Sequence, residues 1–121
     1  MARVVAVVPD LMFGSKVVAM LEAAGHDVEL YAQEHEVWER AEDADVLVLD
    51  LGTDEFDGAT LVDTLRADGE LHGTRTVAFY AHVDTAARAR AEEVGFDLVV
   101  PRSRMAREGA ELIGALVKGR A

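Results

Sequence analysis

The stretch Val46-Leu47-Val48-Leu49 carries no polar residue on either face and stops abruptly at Asp50. A strand alternates its side chains between two faces, so a continuous Val/Leu run predicts a strand covered on both sides. That is the mark of a parallel sheet lying between helices. The carboxyl ends of strands in such sheets border the ligand crevice, which makes Asp50 a candidate metal ligand, nucleophile or general base. A first run, Val4–Val8, ends the same way at Pro9-Asp10. If the two strands are neighbours, their carboxylates share one acidic pocket.

The rest of the chain alternates strand and helix around these two runs. Helices are predicted over Phe13–Ala24, Glu34–Asp43, Gly58–Ala67, Thr85–Val94 and Met105–Val117, each from apolar residues at helical spacing. Gly25, Gly69 and Gly95 serve as stops, and Asp84 or Thr85 as an N-cap. Strands are predicted over Asp27–Tyr31, Asp45–Asp50, Thr76–Ala81 and Phe96–Val100, the first of them near a sheet edge because it alternates polar and apolar. Strict alternation implies an α/β fold: a five-stranded parallel sheet in a flavodoxin-like, three-layer (βα)5 sandwich. No linker, repeat or low-complexity tract interrupts it, so residues 1–121 are expected to form one domain.

Charge narrows the function classes. The net charge is −11, with 14 acids against three bases in residues 1–57 and nine of each in residues 58–121. The excess gathers at Glu34, Glu36, Glu39, Glu42, Asp43 and Asp45, a face that repels phosphate backbones and argues against nucleic-acid binding. No apolar stretch is long enough for a membrane span, and no segment reads as an export signal. There is no cysteine, so disulfides and thiolate metal sites are excluded. A cytoplasmic location is expected.

The turn after the first strand, Pro9-Asp10-Leu11-Met12-Phe13-Gly14-Ser15-Lys16, excludes the common phosphate loops. It lacks the G-x-G-x-x-G of dinucleotide binders, and Gly14-Ser15-Lys16 lacks the first glycine and final hydroxyl of a Walker loop. The Ser/Thr-rich flavin loop of flavodoxins and the Asp/His signature of cobalamin modules are missing too.

What remains is the acidic pocket. Asp50-Leu51-Gly52-Thr53-Asp54-Glu55-Phe56-Asp57-Gly58 resembles the phosphoacceptor loop of two-component response-regulator receiver domains, in which an Asp-Gly pair opens the third helix eight residues after the aspartate. Leu65-Arg66-Ala67-Asp68-Gly69 resembles the end of that helix, and Gly95-Phe96-Asp97 the Gly-Ala-Asp before the fifth strand. The resemblance implies a signalling module in a phosphorelay, with Asp50 as phosphoacceptor and Mg²⁺ held by Asp10, Asp50 and the carbonyl of Gly52. It implies a histidine kinase or downstream signalling protein as partner. It also implies a homodimer through the face of the fourth helix, fifth strand and fifth helix, where Arg88, Arg90, Glu92 and Glu93 would fall.

The sequence departs from that pattern at several places. Pro9 stands where receivers carry a second acid. Tyr80, followed by Ala81, stands where a small hydroxyl residue contacts the phosphoryl group, and Arg102 stands where a lysine does. Leu98-Val99 leaves no aromatic switch on the fifth strand, and Thr53-Asp54 replaces a Met-Pro pair. The expectation is an atypical receiver with a degenerate site, in which an Asp50–Arg102 ion pair fixes one conformation and phosphorylation is dispensable.

Other residues are read more plainly. His26, His35, His72 and His82 are scattered, with no pair on one face for a metal; His82 lies at the ligand-facing rim. Trp38 is expected as a core anchor. Arg102, Arg104 and Arg107 gather at the positive end of the last helix. Two alternatives remain, a Mg²⁺-dependent phosphohydrolase built on Asp10 and Asp50 and a non-catalytic scaffold. The first lacks the second aspartate of an Asp-x-Asp loop.

Overall fold

A computed structural model describes residues 2–38, 40–53 and 55–118. Glu39 and Asp54, which the sequence reading places in the acidic face and the phosphoacceptor-like loop, lie outside the described residues, as does the side chain of Glu42. The strands are β1 (Arg3–Val7), β2 (Asp27–Tyr31), β3 (Val46–Asp50), β4 (Arg75–Tyr80) and β5 (Leu98–Pro101). The helices are α1 (Leu11–Ala23), α2 (Gly58–Ala67), α3 (Thr85–Val94) and α4 (Arg102–Lys118). All strand pairs are parallel, in the order β2-β1-β3-β4-β5. The expected sheet is therefore present, with Asp27–Tyr31 at an edge.

Strand alternation builds the two outer layers. Val5, Val7, Leu47, Leu49 and Ala78 face one side and pack with Leu61, Val62 and Leu65 of α2 and Ala91 of α3. Val4, Ala6, Val46, Val48, Val77 and Phe79 face the other and pack with Val17 and Leu21 of α1 and Met105 and Ile113 of α4. β3 is buried along its whole length, as its Val/Leu run requires.

The acidic segment corrects the prediction. In place of one helix over Glu34–Asp43 there are two single 3-10 turns, Glu34–Glu36 and Ala41–Asp43. A ten-residue helix is marginal in water, and this one would stack like charges three and four residues apart and put Glu42 and Asp43 at its negative end. Among the described residues of this segment only Val37 and Ala41 are buried, too little packing to offset that repulsion. Trp38 is not the core anchor expected of it: it remains 38% exposed. With the helix broken, Val37 and Ala41 take the inward positions and Trp38 does not. No helix among the described residues is long and apolar enough to cross a membrane.

The order of the sheet positions the site. The chain leaves β1 toward β2 and returns to β3 on the other side of β1, which opens a crevice at the carboxyl ends of β1 and β3. Asp10 follows β1 and Asp50 ends β3.

Candidate functional site

Asp50 lies on the same face of β3 as Val46 and Val48, the face covered by α1 and α4. It is 3% exposed. One oxygen, Oδ1, accepts a hydrogen bond from the Gly52 amide at 2.7 Å, a tight Asx-type turn. A Cβ on Gly52 would sit 3.2 Å from that same oxygen, so the close approach explains the glycine. The other oxygen, Oδ2, faces Nη2 of Arg102 at 3.7 Å.

Asp10 divides its carboxylate in a similar way. Oδ1 caps α1, accepting from the amides of Met12 and Phe13 at 3.1 and 3.2 Å. Oδ2 accepts from Nη2 of Arg102 at 3.2 Å. Arg102 is the first residue of α4. Because β4 separates β5 from β3, only a long side chain can reach across the end of β4 to both aspartates. It passes over Phe79, whose register partners are Asp50 and Val100. Its guanidinium carbon sits 4.3 Å from the ring centre of Phe13 and 5.9 Å from that of Phe79.

Electrostatics follow from this geometry. Burial pushes the Asp50 carboxyl above the usual carboxylate range; the Gly52 amide and Arg102 pull it back, and Asp10 adds a further push upward. Pro9, Asp10, Asp50, Gly52, Thr53, Glu55 and Arg102 line one open cleft of about 390 Å³. A second hollow of about 360 Å³ lies between Leu51, Phe56 and the α3 residues Ala87 and Arg90. There Asp57, the N-cap of α2, is bridged by Arg90, which also bonds Thr60 at 2.6 Å.

The structure therefore brings Asp10, Asp50, Gly52 and Arg102 into one cleft. Tyr80 is placed elsewhere: it is buried, alternation puts it on the α2–α3 face with Ala78, and its hydroxyl interacts with Arg88 of α3. Ala81 lies exposed just beyond β4, with its amide nitrogen 3.7 Å from the position of a Cβ on Gly52. His82 is exposed, and His26 accepts a bond from the Ala2 amide at 3.1 Å. Glu55 lines the cleft, and the rings of Phe13 and Phe79 lie against the Arg102 guanidinium; none of the three was singled out by the sequence reading. Phe13 could have been found as an aromatic three residues after a capping Asp, on the helix face turned to the sheet.

The whole fold is similar to solved response-regulator receiver domains. The signal receiver domain of the response regulator NarL from Mycobacterium tuberculosis is 24% identical, with 98% of this chain and 97% of that one covered and a TM-score of 0.81. A Francisella response-regulator receiver domain is 19% identical over 100% of both chains, at a TM-score of 0.86. A CheY-like receiver domain protein from Methanospirillum hungatei is 16% identical, with coverage of 99% and 96% and a TM-score of 0.83. This chain has the receiver-domain fold. At these identities the likeness is one of fold. No protein-family model and no curated protein matches the sequence.

A receiver-type Mg²⁺ would need free carboxylate oxygens in the cleft with room for waters. One oxygen of Asp10 and one of Asp50 are already served by the same guanidinium nitrogen, and their remaining oxygens take backbone amides. Pro9 contributes no carboxylate. Glu55 lines the cleft, yet among the described residues no three acidic or histidine side chains are grouped to hold a metal. In this arrangement the residues do not fit the ion.

Proposed function

We propose that this chain is a receiver-like signalling module that acts through protein contacts and does not depend on phosphorylation. The observation that carries the reading is the position of Arg102, whose Nη2 lies between Asp10 and Asp50 where a divalent cation would sit. A built-in cation supplies the charge compensation that a metal would give two adjacent carboxylates, and it holds the rim in one state. Asp50 is the candidate phosphoacceptor by position. Its burial, its bond to the Gly52 amide and the absence of a small hydroxyl at the end of β4 all weigh against easy phosphoryl transfer.

The partner class is a histidine kinase or a downstream signalling protein in the cytoplasm. A second copy of the chain is a further partner, docking through α3, β5 and α4. That face carries paired charges, Arg88 with Glu92 and Arg104 with Glu108, which suit a mixed-charge contact. The module has no catalytic role of its own in this reading.

The test is direct. Incubated with acetyl phosphate and Mg²⁺, the protein should show little or no gain of about 80 Da by intact mass. A stoichiometric adduct that disappears in Asp50→Asn would overturn the reading. Light scattering at high concentration tests the homodimer, and a strictly monomeric mass removes it.

A further inference from the structure

We propose that Phe13 is the positioning residue that seats Arg102 in the cation position between Asp10 and Asp50. This rests on the reading that the guanidinium closes the site, and it assigns the closure to an aromatic ring.

Both carboxylate contacts of Arg102 are made by the same nitrogen, Nη2. Two contacts at one atom fix where that atom sits but leave the plane of the guanidinium free to turn about it. The Nε atom is buried with no hydrogen-bond partner, so it does not orient the group either. The side chain is 36% exposed, and an arginine that open to water ordinarily samples many rotamers. The contact left to bias the plane is the face of the Phe13 ring, over which the guanidinium carbon lies at 4.3 Å, nearer than the Phe79 ring at 5.9 Å. A planar, weakly hydrated cation stacks on such a face; a compact ammonium gains less from it.

Phe13 is itself held. Its amide donates to Oδ1 of Asp10, the residue whose Oδ2 takes Arg102. Its ring leans on Phe79 with centroids 5.2 Å apart and planes tilted by 51°, and Phe79 is fully buried in β4. Asp10, Phe13 and Arg102 thus form a closed circuit of cap, stack and ion pair. The pairing of Phe13 with Arg102 gives a physical reason for arginine at a position where a lysine would be held only by charge.

The experiment is NMR of the full chain, following the Arg102 Nε–Hε group. In the wild type this signal should be displaced by the ring current of Phe13 and exchange slowly with solvent. Phe13→Leu keeps apolar volume and removes the π face; Phe13→Tyr keeps both. Phe13→Leu should speed Arg102 Hε exchange by about tenfold, and Mn²⁺ should then broaden the amides of Asp50 and Gly52 at concentrations that leave the wild type and Phe13→Tyr untouched. An Arg102 signal at its free-peptide position in the wild type would overturn the assignment, with no variant needed. So would wild-type exchange in Phe13→Leu, or Phe13→Tyr behaving like Phe13→Leu. If Phe13→Leu frees Arg102 while the wild type already takes Mn²⁺, the positioning role stands and the phosphorylation-independent reading fails.

Discussion

Buried Asp50 meets half-buried Arg102 across 3.7 Å, a longer contact than the 2.7 Å bond from Gly52 and one not made at full hydrogen-bonding distance. The pair therefore falls between two limits: exposed ion pairs contribute about 0.2–1 kcal/mol, whereas breaking a fully buried one costs about 3–5 kcal/mol. Arg102→Ala leaves a carboxylate that is 3% exposed without its cation, yet water can enter where the guanidinium was. Urea unfolding should show a loss of about 1–2 kcal/mol. Arg102→Lys keeps the charge and loses the stack on Phe13, so its loss should be smaller than that of the alanine variant. A stability gain in Arg102→Ala would mean that desolvation of the arginine outweighs everything it compensates.

The pH dependence follows from Asp50. Its carboxyl is raised above the ordinary value of about 3.9, chiefly by burial. A carboxyl raised by folding favours the folded state in its protonated form. That contribution is complete below about pH 3.9 and is lost as pH rises through the folded value, leaving a constant penalty at neutral pH. Asp50→Asn removes the charge and keeps an acceptor for the Gly52 amide. Its stability relative to the wild type should be highest at pH 7, should shrink as pH falls through the raised folded value, and should level off below about pH 3.9. Any fixed cost of placing an amide beside Arg102 does not vary with pH. A difference in melting temperature that stays flat from pH 7 down to about pH 4 would contradict the raised pKa.

Gly58 tests the joint between the Asp50 loop and α2. A Cβ there would lie 2.7 Å from Cδ2 of Leu51, 3.3 Å from Cβ of Leu49 and 3.4 Å from the Phe56 ring. The end of Leu51 can swing away; the Cβ of Leu49, fixed in β3, cannot. Gly58→Ala should cost about 1 kcal/mol and Gly58→Val about 2–3 kcal/mol, the usual range for overpacking. Equal stability in Gly58→Val would show that the loop is looser than these distances imply.

The sheet was legible because its strands are buried on both faces and say so: Val4–Val8 and Val46–Leu49 cannot be solvent-facing helices. Asp50, Asp10 and Arg102 were legible as strand-end residues of a particular topology, and the sheet order brings them together. The second helix was not. Its apolar residues Val37, Trp38 and Ala41 fit helical spacing, but periodicity takes no account of like charges, and there the charges prevailed. Trp38 was misjudged for the same reason. Gly109 was also missed: it lies one turn from both Met105 and Ile113, and a Cβ there would sit 2.6 Å from the end of Met20, so it lets α1 and α4 approach. A small residue at the centre of an apolar stripe is a signal for such a contact. Phe13 reads in isolation as one more core aromatic, and its role becomes visible only when Arg102 lies over it.

The weakest anchored helix offers the last prediction. Of the residues of α3 only Ala91 is buried; apart from Thr85 at its start and half-buried Val94 at its end, the helix is otherwise Ala, Arg and Glu. Its integrity leans on its ends: Asp84 accepts from the Ala87 amide at 3.0 Å, and Gly95 closes the helix in the left-handed region at φ +94°. Asp84→Ala should remove about 1 kcal/mol of capping. Since α3 adds little to either core, that loss should appear locally, as amide exchange in Thr85–Val94 accelerated by about fivefold, while amides of β3 and β4 keep their rates. Exchange that rises equally in β4 would mean that α3 and the sheet open as one unit. In that case the contact between Tyr80 and Arg88 couples the helix to the sheet more strongly than the burial of α3 suggests.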